Sequence, residues 1–212
     1  MRDVVARSGP DYSREQARLA AGARFVAGVD EVGRGPLAGP VAVAAVILVP
    51  ARIPEGLDDS KALSAAERER LSQQIFETAF AVSVALASAA EIDVYNIRGA
   101  TLRAMRRAVA ALAQRPCFVL IDGRDIPDGL VCPAAAVIGG DGLSQSIAAA
   151  SIVAKTLRDA LMAAADAAHP GYGFARHVGY PTRAHREALG RLGPCPLHRR
   201  SFRLLGALEE AL

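Results

Sequence analysis

Apolar positions fall into short, separated runs, most of them bounded by glycine, proline or an acid. Phe25-Val26-Ala27-Gly28-Val29 stops at Asp30 and predicts a short buried strand. Residues 41–49 form an uninterrupted, β-branched run, a second strand. Residues 81–88 alternate as a strand does, Cys117-Phe118-Val119-Leu120-Ile121 ends in Asp122-Gly123, and residues 134–138 predict a last strand. Ser64-x-x-Glu67 is a capping box that opens a helix to about Thr78. Asn96 caps a helix over about 97–114, with Leu102, Met105, Val109 and Leu112 at helical spacing. Residues 144–168 predict a long, small-residue helix, Thr182 caps another to about Arg191, and a final helix starts near Arg199. Residues 1–23 are a charged, Ala-rich extension. Strands come first and then alternate with helices, which points to a mixed sheet covered by helices. Three Gly and two Pro in residues 33–40 mark a loop whose backbone can approach something closely. Residues 170–182 are a second loop, rich in glycine and aromatics.

Composition narrows the class. The 212 residues suit one domain, and a 51% hydrophobic fraction excludes a disordered chain. That fraction overstates the core, because 44 residues are Ala, which buries little area apiece. The longest apolar run falls far short of the roughly 20 residues a membrane helix needs. The charged N-terminus has no apolar signal region, and Cys117, Cys132 and Cys195 are widely spaced with no CxxC. These features lead to the expectation of a reduced, cytoplasmic protein with no membrane partner.

The net charge of +3 conceals a division. Residues 176–203 hold seven Arg and three His against the single acid Glu187, and residues 96–115 hold five Arg and no acid. The remainder carries 13 basic and 21 acidic residues. Basic faces suit a polyanion and clustered acids suit a divalent cation, although solvated helix faces explain the charge alone more simply.

Four acids share a kind of address. Asp30 and Glu31 end the first strand, Asp122 ends the fourth, and Asp141 follows the fifth and two glycines. Sites in such sheets lie at the carboxyl ends of parallel strands. Converging carboxylates suit two cations about 3.5–4 Å apart that clamp a phosphodiester displacement. Turn and cap roles explain Asp122-Gly123 well and leave Asp141 open. They fit Asp30-Glu31 poorly, since adjacent acids closing an apolar strand are costly without a cation. Adjacent strand residues point to opposite faces, so these two share a site only if the strand ends or bulges there.

The stretch Val26-Ala27-Gly28-Val29-Asp30-Glu31-Val32-Gly33-Arg34-Gly35-Pro36-Leu37-Ala38-Gly39-Pro40-Val41 resembles the opening signature of bacterial ribonuclease HII. The likeness continues in register through Asp59-Ser60-Lys61, Glu91-Ile92-Asp93, Asn96-Ile97, Ile121-Asp122-Gly123, Ser146 to Lys155, Tyr172-Gly173-Phe174, Gly179-Tyr180-Pro181-Thr182 and His198-Arg199-Arg200-Ser201-Phe202. It covers about residues 24–203 and leaves 1–23 outside.

The resemblance implies an α/β ribonuclease H-like fold, with a mixed five-stranded sheet flanked by helices. A catalytic domain over 24–180 would be followed by a basic, helical C-terminal segment over 181–212. It implies an endonuclease that hydrolyses RNA in RNA–DNA hybrids and incises 5′ of single ribonucleotides in duplex DNA, leaving 3′-hydroxyl and 5′-phosphate ends. The family's metal-binding carboxylates fall on Asp30, Glu31, Asp122 and Asp141, with Mg²⁺ or Mn²⁺ as cofactor. Its 2′-hydroxyl-reading loop falls on Gly33, Arg34 and Gly35, and its junction-sensing tyrosine on Tyr180. Glycine there suits the physics, because it lets main-chain groups come close to the hydroxyl that distinguishes RNA from DNA.

Ser60 and Lys61 resemble the family's phosphate-binding pair, with a plain turn as the alternative. Lys155, one of two lysines, is expected to contact a phosphate or a carboxylate. Arg183, Arg199 and Arg200 are expected on the duplex backbone. Gly139, Ala62 and Val178 stand where the family commonly has lysine or another basic residue, which puts some phosphate contacts in doubt; Arg176, Arg183 and Arg186 can partly compensate. His177, His185 and His198 lack zinc spacing and read as surface or packing residues. A junction resolvase and a non-catalytic hybrid-binding protein are the competing functions. The ribose-reading loop speaks against the first, and the complete carboxylate set against the second. A monomer is expected, and no terminal motif secures a sliding-clamp partner.

Overall fold

The computed structural model describes residues 9–204. Five strands form one sheet: β1 (Val26–Val32), β2 (Val41–Ile47), β3 (Ala81–Ala87), β4 (Phe118–Asp122) and β5 (Ala134–Val137). Six helices accompany them: α1 (Ser13–Ala20), α2 (Ala65–Thr78), α3 (Ala89–Ala110), α4 (Gln145–Ala168), α5 (Phe174–His177) and α6 (Arg183–Leu192). The strand order is β3-β2-β1-β4-β5. Strand β2 pairs antiparallel with both β1 and β3, whereas β4 joins parallel to β1 and β5 parallel to β4. The sheet is therefore mixed, as the order of apolar runs predicts.

Strand β2 shows why its sequence is continuously apolar. Val43, Ala45 and Ile47 pack under α3 with Ala104, Met105 and Val109. Ala44 and Val46 face the other way, onto α2 and α4 with Leu71, Ile75 and Ile152. A strand buried on both faces has no position for a polar side chain.

The alanines contribute more than their area suggests. Ala148, Ala149, Ala150 and Ala154 are fully buried along α4. Gly28 meets this helix backbone to backbone, and a Cβ there would overlap the Ser146 carbonyl. Small residues on both partners let α4 lie directly on β1, which fixes the helix start relative to the strand that carries Asp30.

The capping box forms as expected, with Ser64 accepting from the Glu67 N–H and Glu67 accepting from the Ser64 N–H. Helix α3 differs from expectation. It starts at Ala89, capped by Ser88, and passes through Asn96, which sits at φ 56°. Asn96 Oδ1 then accepts the Gly99 N–H at 3.0 Å. The capping signal at Asn96 is real, but it restarts a kinked helix rather than beginning one. The helix expected from Arg199 is absent among the described residues. Instead His198 pairs with Ala38, and residues 199–204 form turns. Residues 205–212 lie outside the described residues. Among the described residues no helix is long and apolar enough to cross a membrane.

Candidate active site

The parallel pairing of β1 with β4 builds the site. Val29 pairs with Ile121, so Asp30 and Asp122 stand one residue further on, at the same end of the sheet. Carboxylate oxygens of Asp30, Glu31 and Asp122 lie within 4.8 Å of one another. Strand β1 does not end at Asp30 but continues to Val32. Strand β4 stops at Asp122, which leaves an open edge where acids from both pleats converge.

The electrostatics are those of close-set, largely buried carboxylates. Burial, then the neighbouring Glu31 and Asp122 carboxylates, push the Asp30 carboxyl well above its ordinary value. Burial also raises Glu31, against the opposing charge of Arg34, whose Nη1 lies 3.4 Å from Glu31 Oε1. Hard divalent cations take such oxygen donors, so the acids present fit Mg²⁺ or Mn²⁺.

Asp141 stands apart from this trio. It follows β5 in the tight turn Gly140–Gly142, and burial raises its carboxyl, aided by Asp59 and Asp122. Its Oδ2 lies 3.7 Å from Lys61 Nζ, which is 3.7 Å from Asp59 Oδ1 as well. Burial opposes the charge on Lys61, but Asp59, Asp141, Asp30 and Asp122 together hold its pKa above the ordinary value. Lys61 thus faces the acids. Ser60 is buried and accepts the Ser151 hydroxyl at 2.9 Å, beneath the site rather than on its surface.

The glycine loop sits beside the acids. Gly33 has φ +92°, and a Cβ there would overlap Arg158. Gly35 faces the Tyr180 ring, with room at 3.7 Å for a Cβ. Tyr180 is 39% exposed. The two loops are tied together, since Leu37 donates its N–H to Gly179 O at 2.8 Å.

Two buried arginines hold the glycine loop. Arg199 donates to Gly33 O, Arg34 O and Gly39 O at 2.5–3.0 Å, and Arg158 donates to Pro40 O and Ala38 O. Both are fully buried. Burial, then the adjacent Arg158 charge, lowers the Arg199 pKa to about 9. This corrects the expectation that Arg199 lies on the duplex backbone, because its donors face carbonyls inside the protein. Arg200 is exposed, while its N–H and the Ser201 N–H are accepted by Asp93. Arg183 is exposed and pairs with Glu187 at 2.7 Å. Lys155 contacts a carboxylate, Asp159, at 2.8 Å.

The histidines pack, as their spacing suggests, and they also support the Tyr180 loop. His177 accepts the Gly179 N–H at Nδ1 and bonds Tyr172 O through Nε2. His185 bonds Tyr180 O through Nδ1 and meets His198 Nε2 at 3.1 Å. Cys195 donates its N–H to His198 Nδ1. These partners assign one tautomer to each ring: His198 donates from Nε2, and His185 accepts there.

Sequence reasoning missed Arg98. It lines one cleft with Glu31, Arg34 and Asp122, and pairs bidentately with Asp125 at 2.7 and 2.9 Å. Other arginines of that basic segment turn elsewhere: Arg107 binds Glu91, and Arg103 lies over the Tyr95 ring. The ligand-like spacing of acids carries no sign of Arg98, whose helical position only the fold brings to the cleft.

The profile of the family Ribonuclease HII matches residues 27–205. A ribonuclease HII from Ruegeria pomeroyi is 61% identical over 194 residues, covering 92% of this chain and 82% of that protein. Among solved structures, the ribonuclease H2 of Pyrococcus horikoshii OT3 superposes with a TM-score of 0.75 at 26% identity, covering 88% of this chain and 98% of that one. The ribonuclease HII of Archaeoglobus fulgidus, solved in a complex with PCNA, gives 0.72 at 25% identity over 85% and 96% of the two chains.

Proposed function

The chain belongs to the ribonuclease HII family, and from that premise we propose that it incises duplex DNA 5′ of a single embedded ribonucleotide as well as cutting longer hybrids. Membership establishes the coarser activity, a divalent-metal-dependent endonuclease acting on the RNA of RNA–DNA hybrids. The observation that carries the finer reading is the placement of the Gly33–Gly35 loop against Tyr180, beside the Asp30, Glu31 and Asp122 trio.

Two divalent cations held by Asp30, Glu31, Asp122 and Asp141 would supply the positive charge that stabilises both oxygens of an in-line displacement at phosphorus. Around them the chain's own groups select the substrate. Main-chain groups of Gly33 and Gly35 have no side chain in the way of a ribose 2′-hydroxyl. Arg34 reaches the scissile phosphate from the Glu31 side. The Tyr180 ring packs on the sugar that follows, and favours deoxyribose there. Lys61 neutralises part of the acidic cluster and approaches the backbone phosphate. The products carry 3′-hydroxyl and 5′-phosphate ends.

A DNA duplex with one ribonucleotide tests this reading directly. Incision 5′ of the ribonucleotide is expected with Mg²⁺ or Mn²⁺, and none with chelator or on an all-DNA duplex. Cleavage of long hybrids without incision at the single ribonucleotide would remove the junction reading. Cleavage of all-DNA junctions would favour a resolvase instead.

A further inference from the structure

Helix α1 belongs to the segment before the matched family profile, yet it carries a fully buried carboxylate, Glu15. Glu15 Oε1 accepts the Ser146 N–H at 2.8 Å, the Ser146 hydroxyl at 2.6 Å and the Ser144 hydroxyl at 2.6 Å. Among the described residues its Oε2 has no hydrogen-bond partner. The contacts Glu15 makes are thus to the first turn of α4, whose N–H groups lack intrahelical partners and whose dipole favours a negative charge. A buried carboxylate that meets no cationic side chain among the described residues is expensive, so its place calls for a reason beyond packing.

The reason lies in what α4 adjoins. Two further contacts from the same segment grip this junction: Gln145 donates its N–H to Asp11 O at 3.0 Å, and Arg14 donates to Leu143 O at 2.9 Å. Ser144 in turn donates its N–H to Gly140 O at 2.8 Å. Ile147, one residue past Ser146, packs so closely on Gly140 that a Cβ there would lie 2.6 Å from its Cδ1. Gly140 donates to Asp122 and precedes Asp141. A continuous set of short contacts therefore runs from Glu15 through Ser144, Ser146 and Ile147 to both acids at the far side of the site.

We propose that Glu15 is a positioning residue for Asp141, and that helix α1 is a working part of the cation site rather than an appendage. Glu15 touches neither substrate nor cation. It holds the start of α4 so that the turn carrying Asp141 faces the other acids. The inference rests on Asp141 belonging to the cation site, as the proposed function has it.

The test uses the full-length chain with Glu15→Gln, which keeps the shape and removes the charge, and with Asp141→Asn as reference. Mn²⁺ alone is titrated calorimetrically, and binding of a hybrid duplex is measured separately in chelator. Glu15→Gln is expected to weaken Mn²⁺ binding on the order of tenfold, as loss of an outer-shell partner does. Duplex binding in chelator stays at the wild-type level, and raising Mn²⁺ restores turnover. Ser146→Ala removes one hydroxyl donor, shifts Mn²⁺ affinity the same way by less, and decides the matter if Glu15→Gln does not fold. Unchanged Mn²⁺ affinity in the folded variant overturns the inference, as does a parallel loss of Mn²⁺ and duplex binding. If Asp141→Asn binds Mn²⁺ as wild type does, the carboxylate assignment itself fails, whatever Glu15→Gln shows.

Discussion

Gly140 donates its backbone N–H to Asp122 Oδ1 across 2.7 Å, so the acid that ends β4 is fixed to the turn that carries Asp141. Alanine at 140 would bring a Cβ to 2.6 Å from Ile147 Cδ1 and 3.3 Å from Asp122 Oδ1. One of these neighbours must shift. Gly140→Ala is expected to stay folded and to lose roughly ten- to a hundredfold in Mn²⁺ affinity or turnover, the range for disturbed outer-shell contacts. Steady-state rates across a Mn²⁺ series measure it, and a wild-type rate at every concentration would refute the coupling.

Arg199 anchors three carbonyls of the glycine loop. Lysine cannot reproduce the guanidinium fork, and each stranded buried acceptor costs about 1–3 kcal/mol. Arg199→Lys is expected to lower the unfolding midpoint and to impair ribonucleotide incision even where the protein is folded. Equilibrium denaturation paired with incision assays separates the two effects. A variant as stable and as active as wild type would show that the loop holds its shape unaided.

Tyr180 presents a partly exposed ring against Gly35. Tyr180→Ala should reduce single-ribonucleotide incision more than cleavage of long hybrids, because in the proposed reading only the former calls on the junction-sensing ring. Tyr180→Phe keeps the ring and isolates the hydroxyl. Equal losses on both substrates would count against junction sensing.

Burial lowers the His185 pKa to about 4, against an opposing hydrogen bond to Tyr180 O. Burial lowers His198 also. A group whose folded pKa lies below its unfolded value takes up protons more readily when unfolded, so acid favours unfolding. The contribution of His185 is complete above about pH 6.5 and is lost as pH falls toward 4. The raised Asp30, Glu31 and Asp141 carboxyls act with the opposite sign. His185→Gln leaves those acids in place, so the difference between variant and wild type isolates the histidine. Urea midpoints at pH 7.5 and 5 should fall more for wild type than for the variant. Parallel falls would remove His185 from the acid response.

Much of this fold is legible in local patterns. The capping box at Ser64 and Glu67, the doubly buried run of β2 and the small residues of α4 each have a local cause that survives folding. The acids are legible too, since Asp30, Glu31 and Asp122 each follow an apolar run. What periodicity does not show is which basic residues face inward. Arg199 reads as one more arginine of a basic tail, and only its meeting with the loop of residues 33–39 makes it internal. Glu15 is hidden for the same reason, because its partners lie far along the chain. The first half of α3 escapes notice because the strong cap at Asn96 resembles a beginning.

The parallel register of β1 and β4 sets a condition on assembly. Asp30 and Asp122 come from distant parts of the chain and meet only once Val29 stands opposite Ile121. A slip of one residue would send Asp122 to the opposite face of the sheet and leave the strands paired but the site dismantled. Pairing of such remote segments is in general among the slower events in folding. Until then no state of the chain offers a divalent cation the converged set. With the cation site as proposed, Mn²⁺ is expected to bind the correctly registered fold selectively, so that raising its concentration deepens that state against misaligned competitors.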